Sequence, residues 1–67
     1  MEIKVTNVST FETLFTGDPE EWLAENDYDV VIEEALNELS IKRYGEAVNY
    51  VNDNNEIIII EKDICFE

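Results

Sequence analysis

The chain has 67 residues, a formal net charge of −13 and a hydrophobic fraction of 45%. A chain of this length has room for one small core, which buries about 60% of its unfolded surface, and it is too apolar for a disordered acidic tail. We therefore expect one folded acidic domain over residues 1–67, and we expect it to bind neither nucleic acid nor membranes directly, because both are anionic.

The first two segments of the chain favour extended structure. In "EIKVTNV", Ile3, Val5 and Asn7 alternate with residues of the opposite face, which predicts a strand with one face on a core. In "STFETLF", a hydroxyl residue followed by Glu12 could open a helical turn, or Phe11 could begin a second strand in which Thr13 and Phe15 alternate with it. We expect a strand or an irregular link there.

Two central helices are predicted next. Asp18 is a natural N-cap, Pro19 suits the first helical position, and two glutamates follow at the positive end of the helix dipole. After "NDYD", apolar residues recur at the spacing of one helical face. That predicted face carries Tyr28, Val31, Ile32, Ala35, Leu36 and Leu39. Lys42 and Arg43 suit the negative end of this second helix, and Gly45 is a plausible stop.

The C-terminal part predicts a β-hairpin. The runs "EAVNYVN" and "EIIIIEK" flank the turn-forming "DNN", and the second run is apolar on both faces, which is typical of an inner strand. We expect that strand to pair with the N-terminal strand, and "DICFE" to continue it past a break at Asp63. The predicted class is α+β, with an N-terminal strand, two central helices and a C-terminal hairpin that forms an antiparallel sheet covered on one face by the helices.

The inventory of reactive groups argues against an enzyme. The chain has no histidine and a single cysteine, Cys65, which therefore has no imidazole to activate it and no partner for an intramolecular disulfide. We expect Cys65 to be a small buried hydrophobe, and a reducing cytoplasm fits this cysteine usage. The start of the chain does not have the pattern of a signal peptide, and no stretch approaches the length of a membrane span.

Two segments rich in oxygen ligands, "ENDYD" and "DNNE", raise the possibility of calcium. Neither has the glycine and the distant glutamate of an EF-hand loop. For "ENDYD" we expect instead a link between two helices in which Asp27 or Asp29 is a cap, and for "DNNE" a hairpin turn. We expect no metal or other cofactor. Trp22 could be an interface residue, but its place in a short amphipathic helix favours the core.

The acidic run in the middle of the chain is the most unusual feature. From position 18 to position 40 there are nine carboxylates and no basic residue, and the ten acids between Lys4 and Lys42 have no Lys or Arg among them. Several stand four apart, and in a helix such like-charge pairs cost about 0.2 to 0.5 kcal/mol each. A solvated helix face is the ordinary explanation, but it would normally intersperse basic residues. We infer that the uncompensated negative charge is itself used.

The segments "DPEEWLAEND" and "DVVIEEALNELS" resemble, as charge patterns, those of the small acidic DNA-mimic proteins of phages and mobile elements, which include many anti-CRISPR proteins. Carboxylates one helical turn apart are about 5 to 6 Å apart at Cβ, a scale close to the spacing of phosphate charges along DNA. The resemblance implies a monomeric inhibitor in the host cytoplasm that blocks the nucleic-acid-binding site of a CRISPR surveillance complex or of another basic host protein.

An immunity or antitoxin-type protein, which would cover the basic active site of a nuclease or toxin, is the main alternative. A housekeeping acidic domain without a special partner is a third. In the first two cases the candidate partner-binding residues are the helical acids, namely Glu20, Glu21, Glu25, Asp27, Asp29, Glu33, Glu34 and Glu38.

Overall fold

The structure, a computed structural model, describes residues 2–63 as a four-stranded antiparallel sheet with two helices. In chain order the elements are β1 (Glu2–Asn7), β2 (Glu12–Gly17), α1 (Pro19–Glu25), α2 (Val30–Ser40), β3 (Ala47–Val51) and β4 (Ile57–Asp63). The sheet order is β2-β1-β4-β3. The predicted α+β class is therefore confirmed, while the expectations for Cys65 and for the run after Asp63 lie outside the described residues.

The two central strands of the sheet are the ones that the sequence predicts most clearly. Ile3 and Val5 of β1 are fully buried, and Asn7 is buried on the same face, as the period of two requires. β4 pairs with β1 on one side and with β3 on the other, so the predicted inner strand and hairpin are both present. Ile58 and Ile60 of β4 point into the core, and the alternate isoleucines lie on the opposite face.

The ambiguous second segment forms an edge strand, β2, which hairpins onto β1. The expected alternation from Phe11 is wrong: Phe11 has φ 63, is 88% exposed and lies in the turn that precedes the strand. The register also shifts between the pairs Val5–Phe15 and Thr6–Thr13, which leaves Leu14 as the extra residue of a β-bulge. The bulge interrupts the alternation of side chains between the two faces of β2. The main contribution of β2 to the core is the half-buried Phe15.

α1 begins where the sequence predicts, because the Asp18 carboxylate accepts a hydrogen bond from the Glu20 N–H at 2.9 Å and Pro19 follows the cap. α2 is capped in the same way by Asp29, whose carboxylate accepts from the Val31 N–H at 2.8 Å. Of the two caps expected, Asp27 or Asp29, the structure has Asp29, which therefore precedes α2.

The predicted apolar face of α2 is right for its last four members and wrong for its first two. Ile32, Ala35, Leu36 and Leu39 are buried. Tyr28 is 65% exposed and lies before the helix with φ 55, and Val31 is half exposed in the first turn. The helix starts later than the hydrophobic spacing implies, because two consecutive left-handed residues, Asp27 and Tyr28, turn the chain between α1 and α2.

The C-terminal end of α2 also differs from expectation. The helix ends at Ser40, its last turn contains no basic residue, and Gly45 lies farther on, with φ 93, in the loop before β3. The ammonium group that meets the end of the helix comes from β4. Lys62 Nζ donates to the carbonyl oxygens of Ser40 and Lys42, which places a cation at the negative end of the dipole.

The core lies between the helices and one face of the sheet. Trp22 is buried in it, as expected, with its ring centroid 5.4 Å from that of Phe15. The other face of the sheet is not covered by the described helices, and the paired residues Val51 and Ile57 are exposed there. Both helices therefore turn their outer sides to solvent on the same side of the molecule, and this side carries the acidic run.

Candidate protein-interaction surface

The eight candidate acids are all exposed, and we call them together the acidic helical surface. α1 supplies three of them, the link between the helices two, and α2 three. The members in that order are Glu20, Glu21 and Glu25, then Asp27 and Asp29, then Glu33, Glu34 and Glu38. Because neither helix contains a basic residue, the charge of this surface is not neutralised from within the helices themselves.

The glutamates of α2 cover a wide arc of the helix. Successive residues are about 100° apart around an α-helix, so Glu33, Glu34 and Glu38 span about 140°. Glu34 lies opposite the buried stripe, and the other two flank it on either side. The arrangement presents negative charge both outward and toward the neighbouring helix, and not along a single narrow stripe.

Only part of the predicted like-charge spacing lies within a helix. Glu21 and Glu25 are one turn apart in α1, and Glu34 and Glu38 are one turn apart in α2. The step from Glu25 to Asp29 crosses the link between the helices, where helical neighbour geometry does not apply. Two repulsive pairs of about 0.2 to 0.5 kcal/mol each are therefore built into the helices.

Two of the candidate acids have structural roles as well. Asp29 caps α2, so one of its carboxylate oxygens is already engaged by the Val31 N–H. Asp27 has φ 55, a left-handed conformation that aspartate tolerates better than most residues. A substitution at either aspartate therefore affects folding as well as binding. Within residues 2–63, the carboxylates of the three α2 glutamates make no hydrogen bond, so substitutions there test binding more directly.

α1 and α2 enclose a shallow groove of about 210 Å³, which we call the interhelical groove. Its lining residues are Pro19, Glu20, Leu23, Glu33, Leu36 and Asn37. The floor is apolar, because Leu36 is buried and Leu23 packs against the core, while each helix contributes one exposed glutamate. The groove thus brings together Glu20 and Glu33, which are thirteen positions apart in the sequence.

Tyr28 is a surface candidate that the sequence pattern assigned to the core. It is 65% exposed and stands between Asp27 and Asp29, in the middle of the acidic helical surface. Tyrosine is enriched among the residues that dominate binding energy at protein interfaces. The signal that could have revealed it is the "NDYD" context, since three polar neighbours favour a turn over a helical start.

The two oxygen-rich segments of the sequence meet at a second cleft, of about 110 Å³. Asn26 and Asp29 from "ENDYD" and Asp53 from "DNNE" line it, together with Tyr50 and with Asn52, which precedes the second segment. Within residues 2–63, no group of three His, Cys, Asp or Glu side chains is placed to hold a metal ion. Much of the polar capacity here is used internally, because Asn52 Oδ1 accepts from two backbone N–H groups of the hairpin turn.

Tyr50 links this cleft to the core. Burial raises the pKa of its hydroxyl above the ordinary 10.0, the Trp22 indole opposes that rise, and the Asp29 carboxylate adds to it. The Trp22 Nε1–H is buried and, in the part of the chain that the structure describes, makes no hydrogen bond of normal geometry, although the indole is close enough to Tyr50 to lower the pKa of its hydroxyl.

Comparison of the chain with protein-family models, with curated proteins and with solved structures finds no similar protein. No helix within residues 2–63 is long and apolar enough to cross a membrane.

Proposed function

We propose that this protein is an inhibitor that acts as a DNA mimic, using the acidic helical surface to block the nucleic-acid-binding site of a host defence complex, in the manner of anti-CRISPR proteins. One observation carries the proposal: eight acids stand exposed on two helices and the link between them, with no basic residue among them. Selection for folding alone would favour lysine or arginine among them, because mixed pairs stabilise helices and like pairs destabilise them.

The physical mechanism is competition for a cationic groove. A site that binds duplex DNA presents lysine and arginine to phosphates and gains free energy as counterions leave. Carboxylates held on two packed helices meet the same basic side chains without the base edges or the flexibility of a nucleic acid, so little order is lost when the complex forms. Charge of this sign also steers the protein to the site at low salt.

The acids that we expect to matter most are Glu33, Glu34 and Glu38, because they project from the longer helix and are not used as caps. Glu20, Glu21 and Glu25 on α1 extend the same surface.

The test begins with capture of the partner from a host lysate and its identification by mass spectrometry, followed by competition between the protein and the partner's target duplex. Wild type should reduce duplex binding, and the Glu33→Lys/Glu34→Lys/Glu38→Lys variant should lose this effect. A matched variant, Glu2→Lys/Glu12→Lys/Glu61→Lys, carries the same three reversals on the sheet and should retain it. Both variants change the net charge from −13 to −7, since each reversal adds two units.

The control isolates position from total charge. If the helix triple variant competes with duplex as well as wild type at 0.15 M salt, the acidic helices are only a solvated face and the DNA-mimic proposal fails. If the captured partner is a nuclease or toxin encoded beside this chain and its active site is covered, the immunity-type alternative is right instead. Binding of the isolated protein to duplex in an electrophoretic shift would contradict both.

A further inference from the structure

We infer that the interhelical groove is a binding site for a single arginine side chain of the basic partner. This inference rests on the proposed function, because it specifies which partner group the acidic helical surface receives. The arginine contact gives the complex one specific interaction in addition to the general attraction between opposite charges.

The dimensions of the groove admit a whole side chain. A cavity of about 10 to 15 Å³ can hold one water molecule, whereas the interhelical groove has a volume of about 210 Å³. The groove is open to solvent, so a side chain of the partner can enter it from the surface.

The chemistry of the lining favours a long cationic side chain with an apolar stem. Pro19, Leu23 and Leu36 provide a floor on which a methylene chain loses contact with water, and Glu20 and Glu33 provide carboxylates on opposite walls. Amphipathic cations bury their stems on apolar surface and keep the charged head near polar groups. An apolar ligand would leave the glutamates to be desolvated without compensation, which disfavours it.

Arginine fits this arrangement better than lysine. The guanidinium is planar, is more weakly hydrated than an ammonium, and carries five N–H donors in a fixed fork, for which the lining offers the acceptor oxygens of Glu20, Glu33 and Asn37. A lysine ammonium is a compact, strongly hydrated charge, and it loses more hydration on entering an apolar groove. Arginine is also a preferred residue at DNA-binding sites, where it pairs with phosphates.

The experiment uses a small probe and needs no partner. N-acetyl-arginine amide is titrated into ¹⁵N-labelled protein, and amide chemical shifts are followed by NMR. We expect millimolar binding with the largest shifts at Leu23, Leu36 and Asn37. N-acetyl-norleucine amide, which has the stem without the charge, and N-acetyl-lysine amide with a free ammonium should each bind several-fold more weakly.

Two isosteric double variants separate the groove from the general charge of the surface. Glu20→Gln/Glu33→Gln should weaken arginine binding by about 5-fold to 10-fold, because two exposed charge pairs are lost. Glu21→Gln/Glu34→Gln removes the same charge from the same two helices outside the groove and should change it less than about 2-fold.

Equal weakening by the two double variants, or arginine-induced shifts spread evenly over all the acids, would overturn the inference. Failure of this inference can be told apart from failure of the proposed function. If the groove binds no arginine but the α2 charge reversals abolish inhibition, the DNA-mimic proposal holds and the arginine site is wrong. If the groove binds arginine but those reversals, which include Glu33, leave inhibition intact, the groove is an arginine site that inhibition does not use, and the DNA-mimic proposal fails.

Discussion

If the acidic helical surface is retained for binding, relieving its repulsion must stabilise the fold, and Glu38→Lys is the sharpest test. Glu38 is exposed in the last turn of α2, one turn after Glu34, and this turn contains no basic residue. The substitution removes one like-charge pair and creates a pair with glutamate on the N-terminal side, the favourable orientation, at about 0.2 to 0.5 kcal/mol each. It also places a cation at the negative end of the helix dipole, which contributes about 0.3 to 1 kcal/mol.

Together these effects should raise the free energy of unfolding by about 0.7 to 2 kcal/mol. For a domain of this size, each kcal/mol corresponds to a rise of about 4 to 8 °C in Tm. The assay is thermal unfolding followed by circular dichroism at 0.02 M and 0.5 M sodium chloride. The wild type should itself become more stable at the higher salt, and the gain from Glu38→Lys should shrink there, because both the repulsion and the new attraction are screened.

The matched control is Glu12→Lys, which makes the same change of charge at an exposed position on β2 with no helical neighbour or dipole. Its gain should be at most a few tenths of a kcal/mol, the usual size of a surface substitution. A Glu38→Lys protein no more stable than Glu12→Lys would refute the reasoning, because it would show that the uncompensated acids carry no local cost.

Three further predictions concern the fold that presents this surface. Burial keeps the pKa of Tyr50 above its ordinary 10.0, so above pH 10 the native state still holds a proton that the unfolded state has lost. The free energy of unfolding should therefore keep its full value below pH 10 and fall as the pH rises past it. In unfolding measured as a function of pH, Tyr50→Phe should abolish that fall, whereas Tyr28→Phe, at an exposed position, should not. Leu39→Ala should lower the free energy of unfolding by about 2 to 5 kcal/mol in urea denaturation, because Leu39 is 0% exposed; a loss below 1 kcal/mol would contradict its place in the core. Lys62→Met should cost about 1 kcal/mol by the same assay, with increased hydrogen exchange in the last turn of α2, since the carbonyl oxygens of Ser40 and Lys42 lose their donor.

The local features of the fold could be predicted from the sequence because the interactions that specify them lie within a few residues. Asp18 and Pro19 begin α1 through a hydrogen bond and a fixed φ, and both act within one turn of chain. In the same way, the alternation of Ile3 and Val5 indicates a half-buried strand, and the run of isoleucines indicates an inner strand of the sheet. The exposure of the helical acids also followed, because an isolated carboxylate is too costly to bury.

Other features depend on contacts between distant parts of the chain, and only the tertiary structure decides them. Lys62 reaches the end of α2 from β4, although Lys42 and Arg43 are nearer in sequence, because the antiparallel pairing of β4 brings it there. Glu20 and Glu33 share a groove because α1 and α2 pack side by side.

Tyr28 shows the limit most clearly. Its spacing fits the apolar face of α2, but two left-handed residues end α1 and turn the chain before α2 can begin. Hydrophobic periodicity reports which residues would share a face if the helix were continuous, and it does not report where the helix starts. Charge and local pairing could thus be derived from the sequence, whereas the shape of the surface that displays the charge comes from long-range packing.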